Sequence, residues 1–322
     1  MRYRVFFLLL AGFAVPALAQ SSADALRWMQ RANEVSRSLT YTGTFIYQSD
    51  SRTETSRLVH AVDGGRELER LEVLDGSPRE VTREDNEVKC YLPDSRLLVL
   101  ERRTTRRSFP AVLPEGPGGL TEVYLIRSGT PARVAGFETQ SILADPRDEF
   151  RYGRQFWVDA KSGLLLKASL RAEHGESLES FTFTELRIGG PIDREALKAR
   201  ANTRDGEWKV HDLRSTESVG DDGAWVFRNQ IPGFRRVSEM KRPSRPDAPE
   251  SRHVVFSDGL AAISVFIEPL LEGKPKPEIG MFAMGAINVY KRLAGGVLVV
   301  VMGDVPVAAL KRLGDGIEAG KR

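Results

Sequence analysis

Apolar and polar residues alternate with a period of two along most of this chain, and in two stretches the spacing lengthens to three or four. The first longer spacing is Leu26, Met29, Ala32, Val35 and Leu39, which predicts an amphipathic helix over residues 22–39, with Ser21 and Asp24 at capping-box separation. Period two then takes over. Tyr41, Phe45 and Tyr47 fall on one side of a strand over residues 41–47, and strands are predicted at 57–62, 71–74, 80–83, 87–92 and 96–101. After a break they resume at 134–143, 151–158, 164–170 and 179–188. Asp63-Gly64-Gly65, Asp75-Gly76 and Pro93-Asp94-Ser95 punctuate the series, which reads as an antiparallel meander rather than strand–helix–strand units. A helix with one apolar stripe at the head of such a series must lay that stripe on the sheet.

Residues 191–223 are polar and poor in large apolar side chains, with a short helix predicted at 191–199 and a connection at 203–219. A second domain begins near Trp225. His253-Val254-Val255-Phe256 and the alternating Ile263, Val265, Ile267 predict a hairpin turned by Ser257-Asp258-Gly259. Val297-Leu298-Val299-Val300-Val301-Met302 is apolar on both faces and reads as a central strand. The second helical spacing follows Pro306, with Leu310, Leu313 and Ile317 on one stripe and the proline near the first position. Proline-rich residues 104–119 read as a loop or lid over the first sheet, and 241–251 as an exposed loop.

The opening residues set the expected compartment. Arg2 and Arg4, an apolar run over 5–15 and Ala17-Leu18-Ala19 have the order of a secretory leader; the run is too short to span a bilayer, which needs about 20 apolar residues. The division expected is therefore leader 1–19, first domain 20–200, connection 201–223 and second domain 224–322, working in the periplasm. The formal net charge is +3, and loss of the two leader arginines brings it to about +1, so no nucleic-acid partner is expected. The chain has one cysteine, Cys90, so a disulfide framework is excluded, and its place between Val88 and Leu92 reads as a small buried apolar position.

Catalytic patterns do not emerge. His60, His174, His211 and His253 have no second ligand at helical spacing, and no nucleophile elbow, phosphate loop or dinucleotide fingerprint is present. Ser238-Glu239-Met240-Lys241 matches S-x-x-K by letters alone, at the edge of a polar loop. Neither enzyme activity nor a cofactor is expected, and an exported hydrolase is disfavoured. The densest charge run holds Arg102, Arg103, Arg106 and Arg107; it reads either as a solvated strand end or as a contact for phosphate or acidic groups, for which arginine has a matching fork. Phe45, Tyr47, Tyr91, Phe156 and Trp157 read either as ordinary core or as the wall of a lipid cavity, because a curved sheet that does not close needs its concave face covered by helices or by a ligand.

Several strings carry a resemblance that spans nearly the whole chain after the leader. They are Tyr41-Thr42-Gly43-Thr44-Phe45, Asp75-Gly76-Ser77-Pro78-Arg79-Glu80, Cys90-Tyr91-Leu92-Pro93-Asp94 and Phe156-Trp157-Val158-Asp159, then Val255-Phe256-Ser257-Asp258-Gly259-Leu260-Ala261, Ser264-Val265-Phe266-Ile267-Glu268, Gly285-Ala286-Ile287-Asn288-Val289-Tyr290 and Gly303-Asp304-Val305-Pro306. In this order they resemble the RseB/MucB family of periplasmic regulators of the bacterial envelope-stress sigma factor. The resemblance implies an α+β fold that is mostly antiparallel β: a large half-open β-barrel with helices, similar to the LolA/LolB lipoprotein carriers, then a smaller antiparallel sheet with a helix. It implies a negative regulator that binds the periplasmic domain of a membrane anti-sigma factor (RseA or MucA) and shields it from the site-1 protease. Mislocalised acyl lipid or lipopolysaccharide would be the releasing signal. A second copy of the chain is a further expected partner. Under this reading the lipid enters the first domain and the anti-sigma segment docks on the second domain and the connection, by strand addition or groove packing, with Ile263, Val265 and Ile267 as the candidate docking strand. The alternative is a periplasmic carrier of lipoproteins or lipids, for which the second domain has no evident use.

Overall fold

A computed structural model of the chain describes residues 15–50, 52–102, 119–203, 206–214, 217–218, 223–243, 250–271, 273 and 275–320. In the first half, α1 (Val15–Ser38) is followed by β1 (Tyr41–Ser49), β2 (Arg52–Asp63), β3 (Arg66–Val73), β4 (Glu80–Glu84), β5 (Glu87–Leu92) and β6 (Leu97–Arg102). Then come the short α2 (Leu120–Val123), β7 (Tyr124–Ser128), β8 (Ala132–Val134), β9 (Phe137–Pro146), β10 (Gly153–Asp159), β11 (Leu165–Arg171), β12 (Ser177–Ile188) and β13 (Lys209–Asp212). Among the described residues these make one 13-stranded sheet in the order β13-β6-β5-β4-β3-β2-β1-β12-β11-β10-β9-β7, with β8 on β9. The two end strands do not pair with each other, so the sheet stays open, as expected of a half-barrel.

The apolar stripe of α1 does what its period requires. Ala25, Met29 and Ala32 are buried in the same cluster as Tyr41, Phe45, Leu58, Ile142, Phe156 and Phe183. The helix therefore closes the concave face. It runs from Val15, so Ser21 lies inside it rather than at its cap. The predicted lid, apart from Gly119, lies outside the described residues, and so does most of the leader.

The connection differs from the sequence reading. Residues 191–203 contain one 3-10 turn, Arg194–Leu197, laid against β2 and β3: Arg194 reaches Asp63 at 2.7 Å, and the Arg200 backbone N–H donates to Glu80 at 2.8 Å. Farther on, β13 adds to β6 in parallel, the one parallel pairing of the sheet among the described residues. Within the expected connection, β13 is thus part of the first sheet, whereas β14 (Glu217–Ser218) pairs with β16 (Arg235–Pro243) of the second.

The second half comprises β14 (Glu217–Ser218), β15 (Trp225–Phe227), β16 (Arg235–Pro243), β17 (Glu250–Ser257), β18 (Ala262–Pro269), β19 (Gly280–Met284), β20 (Ile287–Ala294), β21 (Val297–Gly303), α3 (Val307–Asp315) and β22 (Ile317–Ala319). Seven strands pair in the order β14-β16-β17-β18-β21-β20-β19, and β15 pairs separately with β22. The predicted hairpin is β17–β18. β21 is central, but only Val299 and Val301 are fully buried, on the face that meets α3. Leu310 and Leu313 are on α3 as expected; Ile317 is equally buried but starts β22, because the helix ends at Asp315.

Candidate functional site

The sequence proposed three sets of site residues, and the described residues include all of them except Arg103, Arg106 and Arg107. Strand alternation puts Phe45, Tyr47 and Phe156 on the concave face, opposite Phe183, Phe181 and Ile142 respectively. Phe45 and Phe156 are closed off in the packed core beneath α1, whereas Tyr47 is half-buried at its margin. Trp157 and Tyr91 point to the other side. Trp157 carries the Lys167 ammonium over its ring at 4.7 Å, and Tyr91 packs edge-on against Trp208 at 6.5 Å. The five therefore do not form one cavity wall; aromatic residues occur on both faces, and spacing within each strand did not relate the faces to each other. Of the arginine run, Arg102 is exposed at the end of β6 and donates to Glu87 at 3.1 Å; Arg103, Arg106 and Arg107 lie outside the described residues.

Ile263, Val265 and Ile267 are a correction. They lie on β18, between β17 and β21, with both backbone edges already hydrogen-bonded. Their side chains are 0–4 % exposed in the second core. A central strand has no free edge, so no peptide can add there.

The concave face changes character along the sheet. Across β1, β2, β3 and β4, Tyr41, His60, Glu69 and Arg83 stand directly opposite one another. Arg83 donates to Glu67 at 2.9 Å and to Glu69 at 3.0 Å, and all three are nearly buried. His60 stacks on Tyr41, and its Nδ1 lies 2.7 Å from the Leu39 carbonyl just after α1, so Nδ1 carries the proton and Nε2 is a buried acceptor with no hydrogen-bond partner among the described residues. Burial lowers the His60 pKa from its ordinary value, with Glu69 opposing. A histidine favoured neutral in the fold contributes stability that is complete above its unfolded value of about 6.5 and is lost as pH falls through its folded value. The urea midpoint should fall between about pH 7.5 and about pH 5 more for the native chain than for His60→Phe. Equal slopes for the two proteins would show that His60 does not carry this dependence.

The junction between the two sheets holds residues the sequence reading passed over. At the β17–β18 turn, Asp258 Oδ1 accepts the backbone N–H groups of Leu260 and Ala261 at 2.9 and 2.7 Å. Its Oδ2 accepts Tyr124 Oη–H at 3.0 Å and Arg151 Nη1 at 2.9 Å, both from the first domain. The Arg151 and Asp258 side chains are fully buried, and Arg151 also donates to Asp148 and to the Pro232 carbonyl. Burial, then Asp258 beside it, holds the Tyr124 hydroxyl well above its ordinary value, so it remains a donor. Gly233, at φ +78°, sits where a Cβ would lie 2.6 Å from Val123, so the Pro232–Arg151 contact requires a glycine next to it.

Apolar groups cross the junction in both directions. Leu260 leaves its own sheet and is buried in the first core, while Phe150 packs on the second core under Arg312. A second polar row lies alongside: Arg154 donates to Asp304, and Asn288 donates to Tyr152 Oη and to the Val305 carbonyl at 3.1 and 2.9 Å. Tyr47 hydrogen-bonds Glu179 next to this row, and burial pushes its hydroxyl up to about 12. Three of the C-terminal strings that carry the resemblance, those around Asp258, Asn288 and Asp304, thus meet at one place. Their glycines and short polar residues sit in turns and at strand ends that face the other domain, a signal that period-two reading discards as turns.

Among the described residues there is no cluster of metal-ligating side chains and no helix long and apolar enough to cross a membrane. Two long stretches of the chain match the two domain models of one family. Residues 24–201 match the model of the MucB/RseB N-terminal domain, and residues 220–318 that of the MucB/RseB C-terminal domain. The chain belongs to the MucB/RseB family. A MucB/RseB relative, the sigma factor AlgU regulatory protein MucB of Pseudomonas aeruginosa, is 32% identical over 320 residues, covering 95% of this chain and 94% of the relative. The sigma-E factor regulatory protein RseB of Escherichia coli K12 is 27% identical over 314 residues, covering 96% and 94%. Among solved structures, MucB in complex with MucA(peri) aligns with a TM-score of 0.71 at 28% identity over 94% of this chain and 100% of that one. MucB alone aligns at 0.67, again at 28% identity, over 92% and 98%. In this member of the family, the match to both domain models places the junction just described between the two family domains.

Proposed function

We propose that this protein is a periplasmic negative regulator of an envelope-stress sigma factor. It holds the periplasmic domain of a membrane-bound anti-sigma factor, shields it from site-1 proteolysis, and releases it when stray acyl lipid or lipopolysaccharide occupies the first domain. The observation that carries this reading is the likeness, over 94% of the chain, to MucB solved as a complex with MucA(peri). The open sheet with α1 across its concave face supports a role for the first domain in holding an acyl chain, since displacing a helix from an apolar face exposes a surface of the right chemistry.

Magnitudes favour a sensor of misplaced lipid. Burying about a dozen methylenes contributes about 10 kcal/mol at about 0.8 each. A micromolar peptide complex is worth about 8 kcal/mol. Lipid seated in a bilayer is already out of water and gains little by moving into the protein, whereas stranded lipid gains most of that sum. Linkage then requires reciprocity: the factor by which lipid weakens anti-sigma binding is the factor by which the anti-sigma domain weakens lipid binding.

Titrating the purified complex with lipopolysaccharide fragments tests the proposal. The expected result is a progressive loss of anti-sigma affinity. Unchanged affinity would leave a shield without a sensor, and failure of the chain to bind the anti-sigma domain at all would remove the regulator reading.

A further inference from the structure

The sheet of the second domain ends in β19, and that edge is unguarded. Among the described residues β19 pairs with β20 along one side and with no strand along the other. Residues 275–279 before it and the Gly285-Ala286 turn after it are described, and none of them lies in a strand. The edge is open to solvent: Met281 is 37% exposed, Met284 62%, and Ile279 just before the strand 56%. Sheets usually blunt such an edge with lysine, proline or a bulge, because a row of unpaired N–H and C=O groups templates pairing with another strand. Gly280-Met281-Phe282-Ala283-Met284 has no charge and no proline, and its register with β20 is continuous. Prolines stand only upstream, at Pro275 and Pro277, where they keep pairing from running far past Ile279.

A row of backbone donors and acceptors calls for a strand, which sets aside an acyl chain. A charged peptide finds no counter-charge along these five residues. The strand is, however, complementary to itself. Laid antiparallel on a second copy, β19 pairs all five residues only in the register centred on Phe282. That register sets Met281 opposite Ala283 and Gly280 opposite Met284, each twice, so at every off-centre position a large side chain meets a small one. Met281 stands opposite Tyr290, whose ring borders Gly314 of α3, and Phe282 opposite Val289 on the other face. The two Phe282 rings would therefore pair at the centre, on the face away from α3. The nearest charge on that face, Lys291, lies over Phe282 at 4.9 Å. Its two copies would be three strand spacings apart, at least about 14 Å, which exceeds the screening length of about 8 Å. The two-fold contact uses each β19 once and so closes at two copies.

We infer that two copies of this chain join edge to edge through β19, making one continuous sheet across a two-fold axis. The inference is independent of the regulator reading. Sedimentation equilibrium of the full chain tests it. The native chain should be a dimer at about 100 µM, with a dissociation constant in the micromolar range. Met281→Lys and Ala283→Glu should each raise that constant about tenfold, because each sets a charge against an apolar side chain of the partner. Combined in one chain, the two changes bring opposite charges face to face and should restore the constant to within about threefold of native. Under mild oxidant, Phe282→Cys should form a cross-linked dimer and Lys161→Cys, on an exposed turn of the first domain, should not. A monomeric native chain would overturn the inference, as would a dimer that none of these changes affects. Losses in both single variants that the combined variant does not recover would overturn the symmetric register. A monomeric chain whose affinity for the anti-sigma domain falls in Met281→Lys would assign the edge to that partner instead, leaving the regulator reading in place. Circular dichroism identifies a variant that fails to fold, in which case the other variant and the cross-link decide.

Discussion

Asp258→Ala is expected to destabilise the protein by about 3–5 kcal/mol and to uncouple its two sheets. The side chain of Asp258 satisfies four donors: two backbone N–H groups of its own turn, the Tyr124 hydroxyl and the Arg151 guanidinium. Truncation leaves Arg151 charged and fully buried with its inter-domain counter-ion gone, and frees the turn that positions Leu260 in the first core. Losing one member of a buried pair is much costlier than the pair is worth, because the remaining charge cannot return to water. Asp258→Asn keeps an acceptor for the turn and removes the charge, so it should fall between the native chain and Asp258→Ala. Urea unfolding followed by tryptophan fluorescence reads both domains, with Trp28 and Trp157 in the first and Trp225 in the second. The native chain should unfold in one transition and Asp258→Ala in two. A single transition with an unshifted midpoint would show that the junction is not what couples them.

That junction is also where sequence reading ran out. The strands around Phe45, Phe156 and Val265 were legible because one face of each is buried, and burial of one face writes period two. The α1 stripe was legible for the same reason at helical spacing. Leu260 was not, since a lone apolar residue after Asp258-Gly259 says only that something covers it, and the partner core lies far off in the chain, no nearer than Phe183. Nor was β13: its edge position in a parallel pairing leaves Val210 55% exposed, so no alternation marks it. The misplacement of Ile263, Val265 and Ile267 has a related cause. Alternation identifies a strand but not its place in the sheet, and a docking edge is a property of place.

The packing at the junction bears on how a signal would cross it. Tyr124 and Arg151 belong to the first domain, and α2, which ends at Val123, leads directly into β7. A change on the concave face that shifts β7 would therefore act on Asp258 and on the β17–β18 turn through contact rather than through a tether. On the proposed reading, the lipid and peptide sites are linked by a bistable packed interface, which is how small shifts become discrete ones.

Arg83→Met should be the second large effect, a loss of about 3–5 kcal/mol. Its two terminal nitrogens bond Glu67 and Glu69, whose side chains are each 10% exposed beside its own 4%. Methionine fills much of the volume but removes the guanidinium that two carboxylates of one strand share on the apolar side of the sheet. Converting all three together, Arg83→Met with Glu67→Leu and Glu69→Leu, removes the charges in concert and should return stability to within about 1 kcal/mol of the native chain, because a buried ion set contributes little net stability once both sides of its desolvation are counted. Urea midpoints of the native, single and triple variants settle this: equal losses in the single and triple variants would mean that shape rather than charge is at stake. The comparison also bears on function. The charged row continues the same face as Tyr41 and His60, and so ends the apolar floor that an acyl chain would use. Under the proposed reading, the triple variant lengthens that floor and should bind a long-chain lipid more tightly than the native protein while leaving short chains unaffected. Unchanged affinity for both chain lengths would place the lipid path elsewhere on the concave face.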